Sequence, residues 1–169
     1  MFRKNGNCCA EIEILQRFEL LYWKTALICL KNKWYSTDDL VLFAFACLES
    51  NIADTDYRVA LIADGNYYKS DIDFLEVVET LAKDETIDDL VAEEIWILAR
   101  LIAIKESNEG DDVKYEELQN IIESAHKYPP TLYDCYQYRK QSDLFPFDAI
   151  NEVIENLQSK LASFRLCAN

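Results

Sequence analysis

Apolar residues along this chain recur mostly at steps of three and four, the spacing that gathers side chains onto one face of an α-helix. Leu20, Trp23, Leu27, Leu30 and Trp34 follow that spacing while Lys24 and Lys31 turn away, which predicts an amphipathic helix from Leu20 to Trp34. Upstream, Ile12 and Ile14 alternate within Glu11 to Phe18, so this stretch reads as a short strand or an extra helical turn. Ser36 with Asp39 three residues on has the form of a capping box. It opens a segment to Leu48 that is apolar all round and belongs at the centre of a fold. Asp56 to Asp64 predicts a short helix with Val59, Ala60, Ile62 and Ala63 inward, ended by Gly65, the residue best suited to a left-handed stop.

Two further starts repeat one design, Ser70 with Asp73 and Thr86 with Asp89, each a cap residue followed at the third place by an acid. In the first helix Phe74, Leu75, Val78, Leu81 and Ala82 point inward. In the second, Ile87, Leu90, Val91, Ile95, Leu98, Leu101 and Ile102 form the buried stripe, and beyond Ile95 the apolar character extends nearly all round, marking a core helix. Ser107 to Asp112 lacks periodicity and reads as a surface loop. Tyr115, Leu118, Ile121 and Ile122 define a helix to about Lys127, stopped by Pro129 and Pro130. A short helix follows within Thr131 to Lys140. Pro146 then opens a final one carrying Phe147, Ile150, Ile154, Leu157, Leu161 and Phe164.

Gly and Pro each occur only 3 times, too sparse a punctuation for the tight turns of a sheet protein. The expected fold is therefore all-α: one single-domain helical bundle, or a short stack of antiparallel helical hairpins, with about seven helices and room for one short N-terminal strand. Residues 1–10 read as a flexible N-terminus, 11–165 as the single helical domain and 166–169 as a C-terminal tail. The longest apolar run, Leu40 to Leu48, is too short to cross a bilayer, which takes about 20 residues. The first residues lack the continuous apolar stretch of a secretory signal. A soluble cytoplasmic protein is expected.

Charge changes the picture. The formal net charge is -14, and it is unevenly spread. From Ser36 to Tyr128 there are 23 Asp and Glu against 7 Lys and Arg, a balance of -16; the flanks hold the remaining 8 acids and 10 bases, a balance of +2. A field of that sign repels nucleic acid and anionic membrane and steers a basic partner inward.

A catalytic constellation is harder to build. His126 is the single histidine, which argues against a histidine triad or a multi-histidine metal site. Cys8, Cys9, Cys29, Cys47, Cys135 and Cys167 show no two-residue spacing for zinc. Cys29 and Cys47 lie in apolar helices where a free thiol behaves as a small hydrophobe. Gly65 and Gly110 stand alone, so no phosphate-cradling loop is indicated. Asp64, Gly65 and Asn66 with Asp71 and Asp73 resemble a calcium loop, but the glycine falls at the second place rather than the sixth. The expectation is a non-enzyme with no cofactor and no metal.

Abundant acids are ordinarily a solvated face or helix-start residues. Accumulation raises the partner reading here, because Asp71, Asp73, Glu76, Asp84, Glu85, Asp88, Asp89, Glu109, Asp111 and Asp112 gather near helix starts and loops. Several should share one end of the bundle, where their mutual repulsion is relieved by a cationic surface. Tyr67 and Tyr68, in the adjoining loop, are candidate aromatic anchors for such a partner.

The run Trp23-Lys-Thr-Ala-Leu-Ile-Cys-Leu-Lys-Asn-Lys-Trp34, the Asp38-Asp39 helix and the Glu93-Glu94-Ile95-Trp96 helix resemble a bacterial family of small helical proteins. That family is similar to immunity proteins of polymorphic toxin systems, including contact-dependent growth inhibition. The similarity spans Leu15 to Leu161 and is carried mostly by structural residues. It implies a cytoplasmic protein encoded beside a toxin, which binds the toxin's C-terminal domain and blocks it, and it brings no catalytic residues. With the acid excess, the expected partner is a cognate toxin C-terminal domain of basic character, plausibly a nuclease, with no direct nucleic-acid contact. An acidic helical adaptor or regulator for another basic protein or peptide is the alternative.

Overall fold

Helix α6 (Asp89–Glu106) organises the molecule, because between Ile95 and Ile104 its sequence offers water almost no polar face. Eleven of its eighteen residues are buried, Ile95, Trp96, Leu98 and Leu101 among them, which makes it the central element. Around it pack α1 (Asn7–Arg17), α2 (Trp23–Lys31), α7 (Asp111–Ser124) and α9 (Phe147–Leu161). Farther out, α3 (Thr37–Glu49) lies on α1 and on α4 (Tyr57–Ala63), α5 (Phe74–Lys83) lies on α2, and α8 (Pro130–Tyr138) lies on α7 and α9. The computed structural model describes residues 7–50, 56–65, 74–138 and 144–166. Among them are nine α-helices, rather than about seven, and a 3-10 turn at Ala162–Phe164, with no strand. The fold is all-α, as the periodicity predicts. Some sequential neighbours pack together, α3 with α4 and α8 with α9 among them, but α6 also buries against α1, α2 and α9, which are remote in sequence, so the architecture is a bundle rather than a linear stack. No helix among the described residues is long and apolar enough to cross a membrane.

Several expectations are corrected. Of the stretch Glu11 to Phe18, the helical alternative holds and the strand does not: Glu11 to Arg17 belongs to helix α1, where Ile12 and Ile14 alternate but Glu11, Ile14 and Leu15 share a buried face. The acid in that face masks the helical period, and it is buried because Arg100 of α6 meets it at 2.8 Å. Helix α2 is shorter than its apolar stripe. Both α1 and α2 stop on a residue in the left-handed region, Glu19 (φ 58°) and Lys33 (φ 59°), after which Leu20 N donates to Leu15 O and Trp34 N to Cys29 O. Glycine would ordinarily announce such stops, so these are invisible in the sequence. Trp34 instead leaves the helix and stacks on Trp96 of α6, ring centroids 3.7 Å apart.

The capping box at Ser36 is present, with Asp39 accepting from the Ser36 amide and Ser36 Oγ accepting from Asp39 N. Helix α3 is nevertheless peripheral. It buries Leu40, Phe43, Ala44 and Cys47 but leaves Phe45 half exposed and Leu42 and Leu48 partly so, because α1 and α4 cover only part of its circumference. Ala60, Leu75 and Leu90 are likewise exposed rather than inward. Gly65 closes α4 with φ 66°, as expected. Helix α6 is capped by Asp88, whose side chain accepts from Val91 N, so Thr86 stays in the extended turn before it. The Ser70 and Asp73 start lies outside the described residues. Helix α7 ends at Ser124, before the prolines, because buried Glu93 captures the next backbone amides, His126 at 2.7 Å and Lys127 at 3.3 Å. Pro130 then begins α8 instead of ending α7.

Candidate partner-binding site

The acids between α5 and α6 run across the start of α2, whose first amides have no partners within their own helix. Glu85 fills that role: its two carboxylate oxygens accept from the amides of Trp23 at 2.6 Å and Lys24 at 2.7 Å. Lys24 in turn donates to Ile87 O at 2.8 Å and stands 3.7 Å from Asp89. Asp88 caps α6, and Asp84 lies 3.3 Å from Arg58, a guanidinium already engaged by Asp56. Of these four acids, Glu85 and Asp88 hold helix amides, whereas Asp84 and Asp89 are exposed beside one cation each. Glu76 is exposed on α5.

Burial pushes the Glu85 carboxyl from its ordinary value of 4.5 up to about 7, outweighing the two amides and Lys24. The folded state therefore holds a proton that the unfolded chain releases between those values. The stability this group contributes is full below about 4.5 and is lost as the pH rises through about 7. Glu85→Ala is expected to cost about 1–2 kcal/mol through the lost caps. It should also flatten the fall in melting temperature between pH 5 and about 8 that the native protein shows. Parallel pH profiles of the two proteins in thermal denaturation would rule this out.

The remaining candidates lie elsewhere. Glu109, Asp111 and Asp112 sit past the other end of α6, which at 18 residues and about 1.5 Å per residue is about 27 Å away from Asp88. Asp84, Glu85, Asp88 and Asp89 thus share one end, and Glu109, Asp111 and Asp112 make a second acidic end, since a long helix divides acids that a loop-by-loop reading places together. Tyr67, Tyr68, Asp71 and Asp73 lie outside the described residues.

At that second end the fold builds a groove between α8 and α9. Asp111 Oδ2 accepts from Phe145 N at 3.0 Å, and the Tyr115 hydroxyl donates to Leu144 O at 2.8 Å, so α7 fixes the strand of chain leading into α9. Phe145 packs edge-on against both Tyr115 and Phe147, and Lys114 lies over the Phe147 ring at 4.8 Å. The resulting groove has a volume of about 660 Å³ and an apolar floor that includes Cys135, Phe145 and Val153. Leu144, 72% exposed, stands at its edge together with Asp134, Asp148 and Glu152. Among the described residues its lining contains no cation. The Cys135 thiol registers the local field: burial raises its pKa first, then Asp134, with Glu152 adding to it.

Among the described residues no group of three or more His, Cys, Asp or Glu is placed to hold a metal ion. Cys29 and Cys47 are fully buried, as their apolar surroundings predict. Residues 12–164 match a family described as an uncharacterised protein conserved in bacteria, DUF2247. The chain belongs to this family. The DUF2247 match runs from α1 to the 3-10 turn and so takes in both acidic ends and the groove. No curated protein matches the chain, and no solved structure does.

Within this DUF2247 chain the sequence singled out Glu109, Asp111 and Asp112 but passed over Asp134, Asp148 and Glu152. The reason is arithmetic: these three lie in a flank whose acids are offset by Arg and Lys when counted along the chain. Proximity in space separates what the count averages. The signal available was Asp134 followed by Cys135 and, beyond Pro146, Asp148 and Glu152 one helical turn apart at i and i+4.

Proposed function

We propose that this chain is an immunity protein that binds a basic toxin domain in the bacterial cytoplasm and blocks its active or substrate-binding surface. The supporting observation is the exposed carboxylate at both ends of α6 on a molecule of net charge -14. Two acidic ends about 27 Å apart suit an extended basic surface of the kind that holds a phosphate backbone. The Trp34 to Trp96 stack and the buried α6 account for Trp34 and the Glu93-Glu94-Ile95-Trp96 segment as framework.

Co-expression with the C-terminal toxin domain encoded by the adjacent gene tests the reading directly. Growth should be restored by this protein and lost again on charge reversal at Glu76, Asp84 and Asp89, positions that can change without uncapping α2 or α6. For the purified pair, raising salt from about 0.05 to 0.5 M should slow association at least tenfold while leaving dissociation nearly constant. Association rates that do not respond to salt would remove the electrostatic basis of the proposal.

A further inference from the structure

We infer that the groove between α8 and α9 is the docking site for a cationic segment of the partner that carries an apolar anchor. The inference rests on the basic-partner reading above and goes further, because it names a surface absent from the sequence-derived candidates and the chemistry that fills it.

Three observations converge on it. The floor is apolar and pinned from beneath: Asp111 and Tyr115 hold the backbone of Phe145 and Leu144, and Lys114 braces the ring of Phe147. Preorganised walls of this kind spare a ligand the cost of ordering them. The charged groups described at the edge are all acids. Asp148 also favours the first turn of α9 through the helix dipole, but Asp134 and Glu152 are exposed in mid-helix and pair with no cation among the described residues. A leucine 72% exposed at the groove, Leu144, is apolar surface that a partner would cover. Apolar floor and anionic edge together select a lysine- or arginine-bearing segment with a leucine or aromatic side chain between its charges. A nucleic acid is repelled by the edge, and a purely polar cation would leave the floor wet.

The probe is the capped peptide acetyl-Lys-Leu-Lys-Trp-Lys-Leu-amide, titrated into the 15N-labelled full chain, with a counterpart bearing Glu for Lys. The basic peptide is expected to shift amide resonances of α8 and the first two turns of α9 while leaving α4 and α5 unmoved. Its affinity should fall at least tenfold in Asp134→Lys with Glu152→Lys, and several-fold in the milder Asp134→Asn with Glu152→Gln, which retains shape if the reversal perturbs folding. Equal shifts from the acidic peptide, shifts centred on the α5 to α6 turn, or none at all would overturn the inference. So would shifts that appear only after Arg139→Gln and Lys140→Gln, since the chain's own cations would then be the occupant. Growth rescue by the native protein reads the toxin-binding proposal separately, so the peptide result and that reading can fail independently.

Discussion

Arg100→Met is expected to destabilise the protein by about 3–5 kcal/mol, the largest effect of any single surface-preserving change. The guanidinium is only 4% exposed on α6 and lies between Glu11 of α1, itself 1% exposed at 2.8 Å, and Glu117 of α7, while its plane reaches over Trp96. Removing it leaves two carboxylates facing each other inside three packed helices. At about 2–4 °C per kcal/mol for a domain of this size, the melting temperature should fall by roughly 10 °C. The compensated variant Glu11→Leu, Arg100→Met, Glu117→Leu should recover most of the loss, because apolar side chains of similar volume often replace a buried ion cluster at no cost. Urea denaturation of the two variants checks both halves; an Arg100→Met protein within about 1 kcal/mol of native would show that the cluster is solvated in solution.

Glu93→Ala should cost about 3 kcal/mol, since hydrogen bonds to a charged group contribute about 1.5–3 kcal/mol each and two backbone amides lose their acceptor. Glu93 is 4% exposed and accepts from the backbone amides of His126 and Lys127, with the His126 ring Nδ1 a further 3.1 Å contact. It is the link that fixes where α7 stops and how the chain enters α8. Glu93→Gln keeps one acceptor and should lose about half as much. Hydrogen exchange at the His126 and Lys127 amides should accelerate in both variants before the rest of α7 is affected. Protection unchanged at those two amides would assign the stop of α7 to Pro129 and Pro130 instead.

Local rules with a local cause were legible in the chain. The Ser36 and Asp39 box, the left-handed stop at Gly65 and the opening of α9 after Pro146 each depend on residues within a turn of one another. The burial of α6 was legible too, because beyond Ile95 it is apolar nearly all round. What failed depended on distant partners. Glu11 hides the period of α1 because its counterion sits 89 residues away. Thr86 is a sound cap residue that is passed over, since Glu85 and Ile87 on either side of it are held by Trp23 and Lys24. Helix α3 carries the most continuous apolar segment yet lies at the edge.

The candidate site divides in the same way. The sign and size of the charge belong to the sequence whatever the fold. Their arrangement does not: two of the four acids in the α5 to α6 turn close helix ends, and the groove acids come from a flank, residues 129–169, whose five acids and four bases nearly cancel along the chain. Composition and periodicity determined that this protein is helical and acidic, because burial preference and helix spacing act residue by residue. Only the tertiary structure decided which acids are structural and which face solvent, because a carboxylate's role depends on the amide or cation that packing brings within 3 Å of it, and that neighbour is rarely close in the chain.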